Sequence, residues 1–166
     1  MSAYQLGSDS TLAQNAAASG TLNIHEPAEP KAAGGSVTFT SAALTTDKVL
    51  AGHPILKLTA TLSAADANFY VELLDVDAKG AETLVNDGFL KASHRSSDVM
   101  PEPVMPGVAS EYTIAIRPDH HRFVAGNSLR IRISGGDSMS LVPSSQPLDI
   151  TLQTGAASAL HMPQGW

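Results

Sequence analysis

Apolar and polar residues alternate with a period of two along most of the central and C-terminal parts of the chain. Residues 54–63 show the pattern clearly, because four apolar side chains fall on one face and mainly polar ones on the other. The alternation recurs in residues 111–117, 128–134 and 148–153, while residues 68–76 are apolar on both faces, as in a strand buried on both sides. Since no segment of useful length has the period of an α-helix, the pattern predicts strands.

Turn-forming residues divide the region around the buried strand. We predict three strands joined by turns: strands over 68–76, 81–85 and 89–94, with turns at 75–80 and 86–88. Residues 99–107 contain three prolines, which cannot donate to a β-ladder, so this segment is predicted to be a loop.

At least seven alternating strands with turns between them predict an all-β fold, a two-sheet antiparallel β-sandwich of the jelly-roll type. Residues 1–35 hold two short strand candidates and a small, polar, glycine-rich stretch, so we expect an N-terminal arm or linker there. The sandwich domain is assigned to residues 36–155, and residues 156–166 are expected to form a C-terminal tail.

Composition narrows the class of partner. The net charge is −6 with no basic run, which argues against nucleic acid, and no stretch approaches the roughly 18 apolar residues that cross a bilayer. The absence of cysteine excludes disulfides and thiolate metal sites. No signal peptide is visible in the first twenty residues, so the location stays open between a cytoplasmic protein and a fragment of a secreted bacterial enzyme.

Ser93, His94 and Asp98 are the nearest approach to a catalytic triad. Consecutive residues of an extended strand point to opposite faces, so Ser93 and His94 are not expected to act as nucleophile and base. We therefore assign no catalytic residue and expect no cofactor.

Asp119, His120 and His121 are weak candidates for metal ligands. Pro118 indicates a turn, and we expect these residues to lie in an exposed loop instead of a metal site. Four other side chains, at two predicted turns, carry oxygen atoms that could bind Ca²⁺. They are Asp75, Asp77, Asn86 and Asp87. Side chains in such turns more often cap their own backbone.

Arg130 and Arg132 lie two residues apart, on the outward face of one predicted strand. They could pair with nearby carboxylates of this chain or with another domain, and both readings stay open. Ser138 and Met139, in the glycine-rich loop that follows, are the other interface candidates.

Five motifs, in order, resemble those of the C-terminal β-sandwich of the X-Pro dipeptidyl-peptidase and cocaine esterase family of serine hydrolases. They are FTSAAL at 39–44, AGHP at 51–54, the hairpin residues DANF and LLDVD within 66–77, DGFLKASHR at 87–95, and FVAGNSLRI at 123–131. One departure is Asn127, which stands where the family carries histidine after glycine. A larger one is that no Gly-x-Ser-x-Gly elbow is present, so no triad residue is transferred to this chain.

The resemblance implies a galactose-binding-domain-like jelly roll that is not catalytic. Its expected role is to pack on an α/β-hydrolase domain, in the same polypeptide or a neighbouring chain, and to help shape that domain's substrate cleft. The parent activity would be that of a dipeptidyl-peptidase or an ester hydrolase. The alternative is an independent carbohydrate- or ligand-binding jelly-roll module. For carbohydrate binding, Tyr4 and Trp166 are the aromatic residues expected to be free. The oligomeric state stays open.

Overall fold

The computed structural model describes residues 2–27, 34–135 and 146–166, and within them the fold is all-β, as predicted. The strands are β1 (Ser2–Leu6), β2 (Thr11–Ala13), β3 (Thr21–Glu26), β4 (Ser36–Ser41), β5 (Lys48–Gly52), β6 (Ile55–Leu62), β7 (Asn68–Val76), β8 (Glu82–Lys91), β9 (Ala109–Ala115), β10 (Asp119–Phe123), β11 (Ser128–Ser134), β12 (Leu148–Gln153) and β13 (Gly155–Met162). A single 3₁₀ turn, Ala92–His94, follows β8. In these described segments no helix is long and apolar enough to cross a membrane.

Eleven strands form one continuous sheet in the order β3-β12-β6-β13-β1-β2-β4-β11-β7-β8, with β9 paired to β6. β10 and β5 form a separate two-stranded sheet. The pairing is antiparallel except between β2 and β4, which run parallel. The strand order joins elements far apart in the chain, which is why it could not be read from the alternation alone.

The two halves of the large sheet face each other across one hydrophobic core. Phe69 of β7 and Tyr112 of β9 belong to opposite halves, and their ring centroids lie 4.7 Å apart. The apolar faces predicted for β6, β9, β11 and β12 are buried, so the sandwich prediction is confirmed. Burying these faces removes most of their apolar surface from water, which is the main force that holds the layers together.

The region after the first hairpin turn differs from the prediction. Residues 82–91 form one ten-residue strand, and Val85 is an extra residue opposite the step from Leu73 to Leu74. The predicted turn at 86–88 is therefore wrong, because these residues continue the ladder with β7. Glycine is needed at position 88 because the backbone at Ala115 passes close to it. A Cβ on residue 88 would lie 2.4 Å from the carbonyl oxygen of Ala115.

Both ends of the chain contribute strands to the large sheet, which differs from the expected arm and tail. β1 pairs with β13, and Tyr4 lies opposite Leu160. Leu6 and Met162 are fully buried. The alternation in β13 is hard to see in the sequence because alanine, glycine and serine occupy five of its eight positions.

Candidate functional site

Ser93 and His94 do not form a nucleophile–base pair. They lie in the 3₁₀ turn after β8, so the predicted extended strand over 89–94 ends earlier, at Lys91. The backbone N–H and the hydroxyl of Ser93 both donate to the Asp66 carboxylate, at 2.8 and 2.9 Å. The Nδ1 atom of His94 lies 3.0 Å from the carbonyl oxygen of Ser97. These contacts fix a turn, and His94 is engaged by Ser97 and not by the Ser93 hydroxyl.

The histidine segment forms strand β10, so the expected exposed loop is wrong. Pro118 does end the preceding segment, but residues 119–123 then pair with β5. His120 and His121 consequently point to opposite sides, and His120 is exposed while His121 is largely covered. Asp119 accepts a hydrogen bond from the backbone N–H of His120 at 2.6 Å. Among the described residues no cluster of three or more His, Cys, Asp or Glu side chains could hold a metal ion.

His121 has a structural partner in Asp75, a carboxylate that is only 7% exposed. The Nε2 atom of His121 lies 2.8 Å from one carboxylate oxygen, and the side-chain amide of Asn127 donates to the other at 2.9 Å. Asn127 thus supplies a hydrogen bond at the position where the sequence departs from the family motif. The cluster ties β7, β10 and the turn before β11 together through one buried acceptor.

The four oxygen ligands considered for Ca²⁺ also diverge. Asp77 accepts hydrogen bonds from the backbone N–H groups of Lys79 and Ala81, within its own turn. The remaining contacts are Asp75 with His121 and Asn127, Asp87 with the hydroxyl of Tyr70 and with Arg117, and the Asn86 amide donating to the carbonyl of Pro118. Each side chain therefore stabilises its own stretch of backbone or sheet.

Arg130 and Arg132 are paired within this chain. Arg130 donates to Glu82 at 2.6 Å, and Arg132 donates to Glu82 at 2.7 Å and to Glu72 at 3.2 Å. The hydrogen bonds from Arg132 and Arg130 hold the pKa of the Glu82 carboxyl below its usual value. This ladder across β11, β7 and β8 satisfies the charges without a second protein. The other interface candidates, Ser138 and Met139, lie outside the described residues.

The two aromatic residues expected to be free are buried, so that expectation is wrong. Tyr4 is 6% and Trp166 is 9% exposed, and the indole N–H of Trp166 donates to the hydroxyl oxygen of Tyr4 at 3.0 Å. Phe89 on the edge strand β8 is 57% exposed instead. The carbohydrate-binding alternative therefore loses both residues on which it depended.

A cavity of about 440 Å³ opens beside β2 and the segment between β4 and β5. Among the described residues that line it, Lys48 is the only charged one, and the others are small, apolar or neutral polar. The described part of its lining has no carboxylate or imidazole.

Comparison with known proteins assigns the chain to a family. Residues 2–165 match the model of the X-Pro dipeptidyl-peptidase C-terminal non-catalytic domain. The chain belongs to this family. The resemblance seen in the five sequence motifs is thereby confirmed.

The relatives of this X-Pro dipeptidyl-peptidase C-terminal domain are longer hydrolases. Proteins named as serine esterases in Mycobacterium bovis and Mycobacterium tuberculosis are 30% identical over 130 residues, which is 67% of this chain and 21% of the esterase. An α-amino acid ester hydrolase has the same fold at a TM-score of 0.83 and 16% identity, covering 98% of this chain and 36% of the hydrolase. A CocE/NonD family hydrolase from Staphylococcus aureus gives a TM-score of 0.80 with the same coverage. This chain thus spans about a third or less of the length of these relatives.

Proposed function

We propose that this chain is the accessory domain of a serine hydrolase, in which it packs on an α/β-hydrolase domain and helps to wall the substrate cleft. The supporting observation is the match of residues 2–165 to a non-catalytic domain whose solved relatives are much longer hydrolases. A β-sandwich with a complete core can add a rigid surface to a neighbouring domain without contributing reactive groups.

The chemistry of the parent enzyme would be acyl transfer through a serine nucleophile held by the catalytic domain. The family description names an X-Pro dipeptidyl-peptidase, and relatives are named as ester hydrolases and as an aminopeptidase. The substrate class is therefore an ester, or a peptide with proline at the second position. In the described part of this chain Ser93 is engaged by Asp66, so the nucleophile would come from the partner domain.

An assay of the separate polypeptides tests this function. The purified chain is incubated with an Xaa-Pro p-nitroanilide and a p-nitrophenyl ester, and we expect the rate of buffer alone. Candidate α/β-hydrolase domains from the genome that encodes this chain are then added one at a time. We expect a stable complex on size-exclusion chromatography and a changed KM. A wall of the cleft affects substrate binding, which KM reports, whereas the reacting groups belong to the catalytic domain.

Two results would contradict the proposal. One is turnover by the isolated chain at an enzymatic rate that is lost in Ser93→Ala or in another serine variant of the chain. The other is the absence of any complex at concentrations where accessory domains associate, since a domain that never touches the hydrolase cannot shape its cleft.

A further inference from the structure

We infer that the catalytic domain covers one particular surface of this chain, formed by Phe89 and the loop of residues 97–108. This inference rests on the proposed function and adds the location of the contact. We call this surface the methionine loop surface, after Met100 and Met105, two of its exposed apolar side chains.

Exposed apolar residues are concentrated there. Five of the eight large hydrophobic residues that are exposed among the described residues belong to it: Phe89 at 57%, Val99 at 84%, Met100 at 74%, Met105 at 70% and Val108 at 48%. Single exposed apolar side chains are ordinary, but these five fall within twenty consecutive positions. The cavity that Phe89 and Asp98 both line places the edge strand beside the start of the loop, so we take the five as one interaction surface. Methionine suits this use because its flexible thioether adapts to a partner's shape.

Hydrogen bonds to neighbouring segments anchor the loop at two of its residues, Glu102 and Val104. Arg95 donates to the carbonyl oxygen of Glu102 at 2.6 Å, and the N–H of Glu102 donates to the carbonyl oxygen of Ser93 at 2.7 Å. Val104 is buried, and its N–H donates to the carbonyl oxygen of Ala65 at 2.7 Å. A loop that is already ordered loses little conformational entropy when a partner binds.

Polar groups border the apolar residues, as at the rim of a protein–protein interface. A shallow cavity of about 270 Å³ lies between Phe89 and Asp98, and Lys91 and His94 also line it. This cavity can receive one anchoring side chain of the partner, which is the arrangement that carries most of the energy in many interfaces.

Two observations indicate which partner covers the methionine loop surface. The outward face around Arg130 and Arg132 is already neutralised by Glu82 and Glu72, so it gains little from a partner. About two thirds of the length of the solved relatives lies outside the part that this chain matches. We therefore assign the methionine loop surface to an apolar patch on a catalytic domain of the kind that these longer hydrolases contain.

Oxidation of methionine by hydrogen peroxide maps the contact directly. In the free chain, Met100 and Met105 should be converted to sulfoxides rapidly, while the fully buried Met162 reacts slowly and serves as the internal control. With a purified α/β-hydrolase domain that binds this chain present in excess, peptide mass spectrometry should show oxidation of Met100 and Met105 slowed by about fivefold or more.

Variants then measure the contribution of the surface to binding. The double variant Met100→Gln, Met105→Gln keeps the side-chain length but adds polarity. It should weaken binding, raising the dissociation constant by roughly tenfold or more. Val49→Thr with Val124→Thr is the matched control, because these exposed apolar residues lie elsewhere, at the β5–β10 sheet. We expect the control to bind within about twofold of the unmodified chain.

The outcomes separate the two proposals. If the unmodified chain binds the hydrolase domain but oxidation and affinity are insensitive to the methionine loop surface, the inference is overturned and the accessory function stands. If the unmodified chain does not bind, both fail. If the loop variant instead abolishes self-association of the chain, or removes binding to a glycan array, the occupant named here is wrong.

Discussion

The last residue of the chain, Trp166, donates its indole N–H to the hydroxyl oxygen of Tyr4 at 3.0 Å, and both side chains are buried. The indole ring also stands edge-on to Phe123, with ring centroids 5.1 Å apart. The contact follows from the pairing of β1 with β13, which brings the two ends of the chain together. The C-terminal residue is therefore part of the core.

Trp166→Ala should destabilise the protein by about 3 kcal/mol, because it removes a large buried ring and leaves a cavity beside Phe123. Tyr4→Phe should cost about 1 kcal/mol, since only the acceptor of the indole N–H is lost. Urea unfolding followed by circular dichroism measures both. Gln164→Ala, an exposed neighbour, is the control and should stay within about 0.5 kcal/mol. Equal stability of Trp166→Ala and the control would show that the ring does not pack in the core.

The sequence reveals strands where large aliphatic residues mark one face, as in β6, β9, β11 and β12. It conceals strands whose inward positions are few or small. β10 reads DHHRF and has a single large apolar residue, Phe123, and β13 is dominated by alanine, serine and glycine. These segments become strands because partners distant in the chain, β5 and β1, supply the hydrogen bonds.

The candidate site was harder to predict than the fold, since exposure depends on tertiary neighbours. Phe89 resembles a core residue in the sequence, yet it lies on the edge strand β8 and remains uncovered. Trp166 resembles a free terminal residue, yet the end of β13 carries it against Tyr4. The three prolines of residues 99–107 predict a loop, as observed. The hydrogen bond that anchors this loop, from the N–H of Val104 to the carbonyl oxygen of Ala65, could not be predicted because Ala65 belongs to another loop.

His121→Ala should destabilise the protein by about 1–3 kcal/mol, because it leaves one oxygen of the buried Asp75 carboxylate without its partner. The adjacent His120→Ala provides a matched control on the same strand, since that side chain is exposed, and should change stability by no more than about 0.5 kcal/mol. Chemical denaturation of the two variants at one pH compares them. Similar losses for both would mean that the Asp75 contact does not stabilise β10.

Tyr112 and Tyr70 form a second matched pair. Among the described residues the buried hydroxyl of Tyr112 has no hydrogen-bond partner of normal geometry, although burial raises its pKa and the Ser110 side chain acts, less strongly, to lower it. The hydroxyl of Tyr70, in contrast, donates to Asp87 at 2.8 Å. Tyr112→Phe should therefore be neutral or slightly stabilising, because it removes an unpaired polar group, and Tyr70→Phe should cost about 1 kcal/mol. Urea midpoints at neutral pH give the comparison. A clear loss of stability in Tyr112→Phe would reveal a partner for its hydroxyl, such as the side chain of Ser110 or a buried water.

Tyr70 should also make stability depend on pH in the alkaline range. Burial, and then the hydrogen bond to Asp87, raises the pKa of Tyr70 to about 12 from its usual value of 10.0. Between these values the unfolded chain loses the phenolic proton while the folded protein keeps it, so the folded state binds more protons and stability falls as the pH rises. The contribution is fully present below pH 10 and disappears as the pH passes through about 12.

The free energies of unfolding of the unmodified chain and of Tyr70→Phe, measured at several pH values from neutral upward, test this dependence. The advantage of the unmodified chain should be constant up to the usual tyrosine pKa and should then shrink, because phenylalanine has no proton to retain. Absorbance at the tyrosinate band reports ionisation of the same residue, as the difference between the two titrations of folded protein. A difference curve with its midpoint at the ordinary tyrosine pKa, or a stability gap that does not change with pH, would show that Asp87 and burial leave the Tyr70 phenol unaffected.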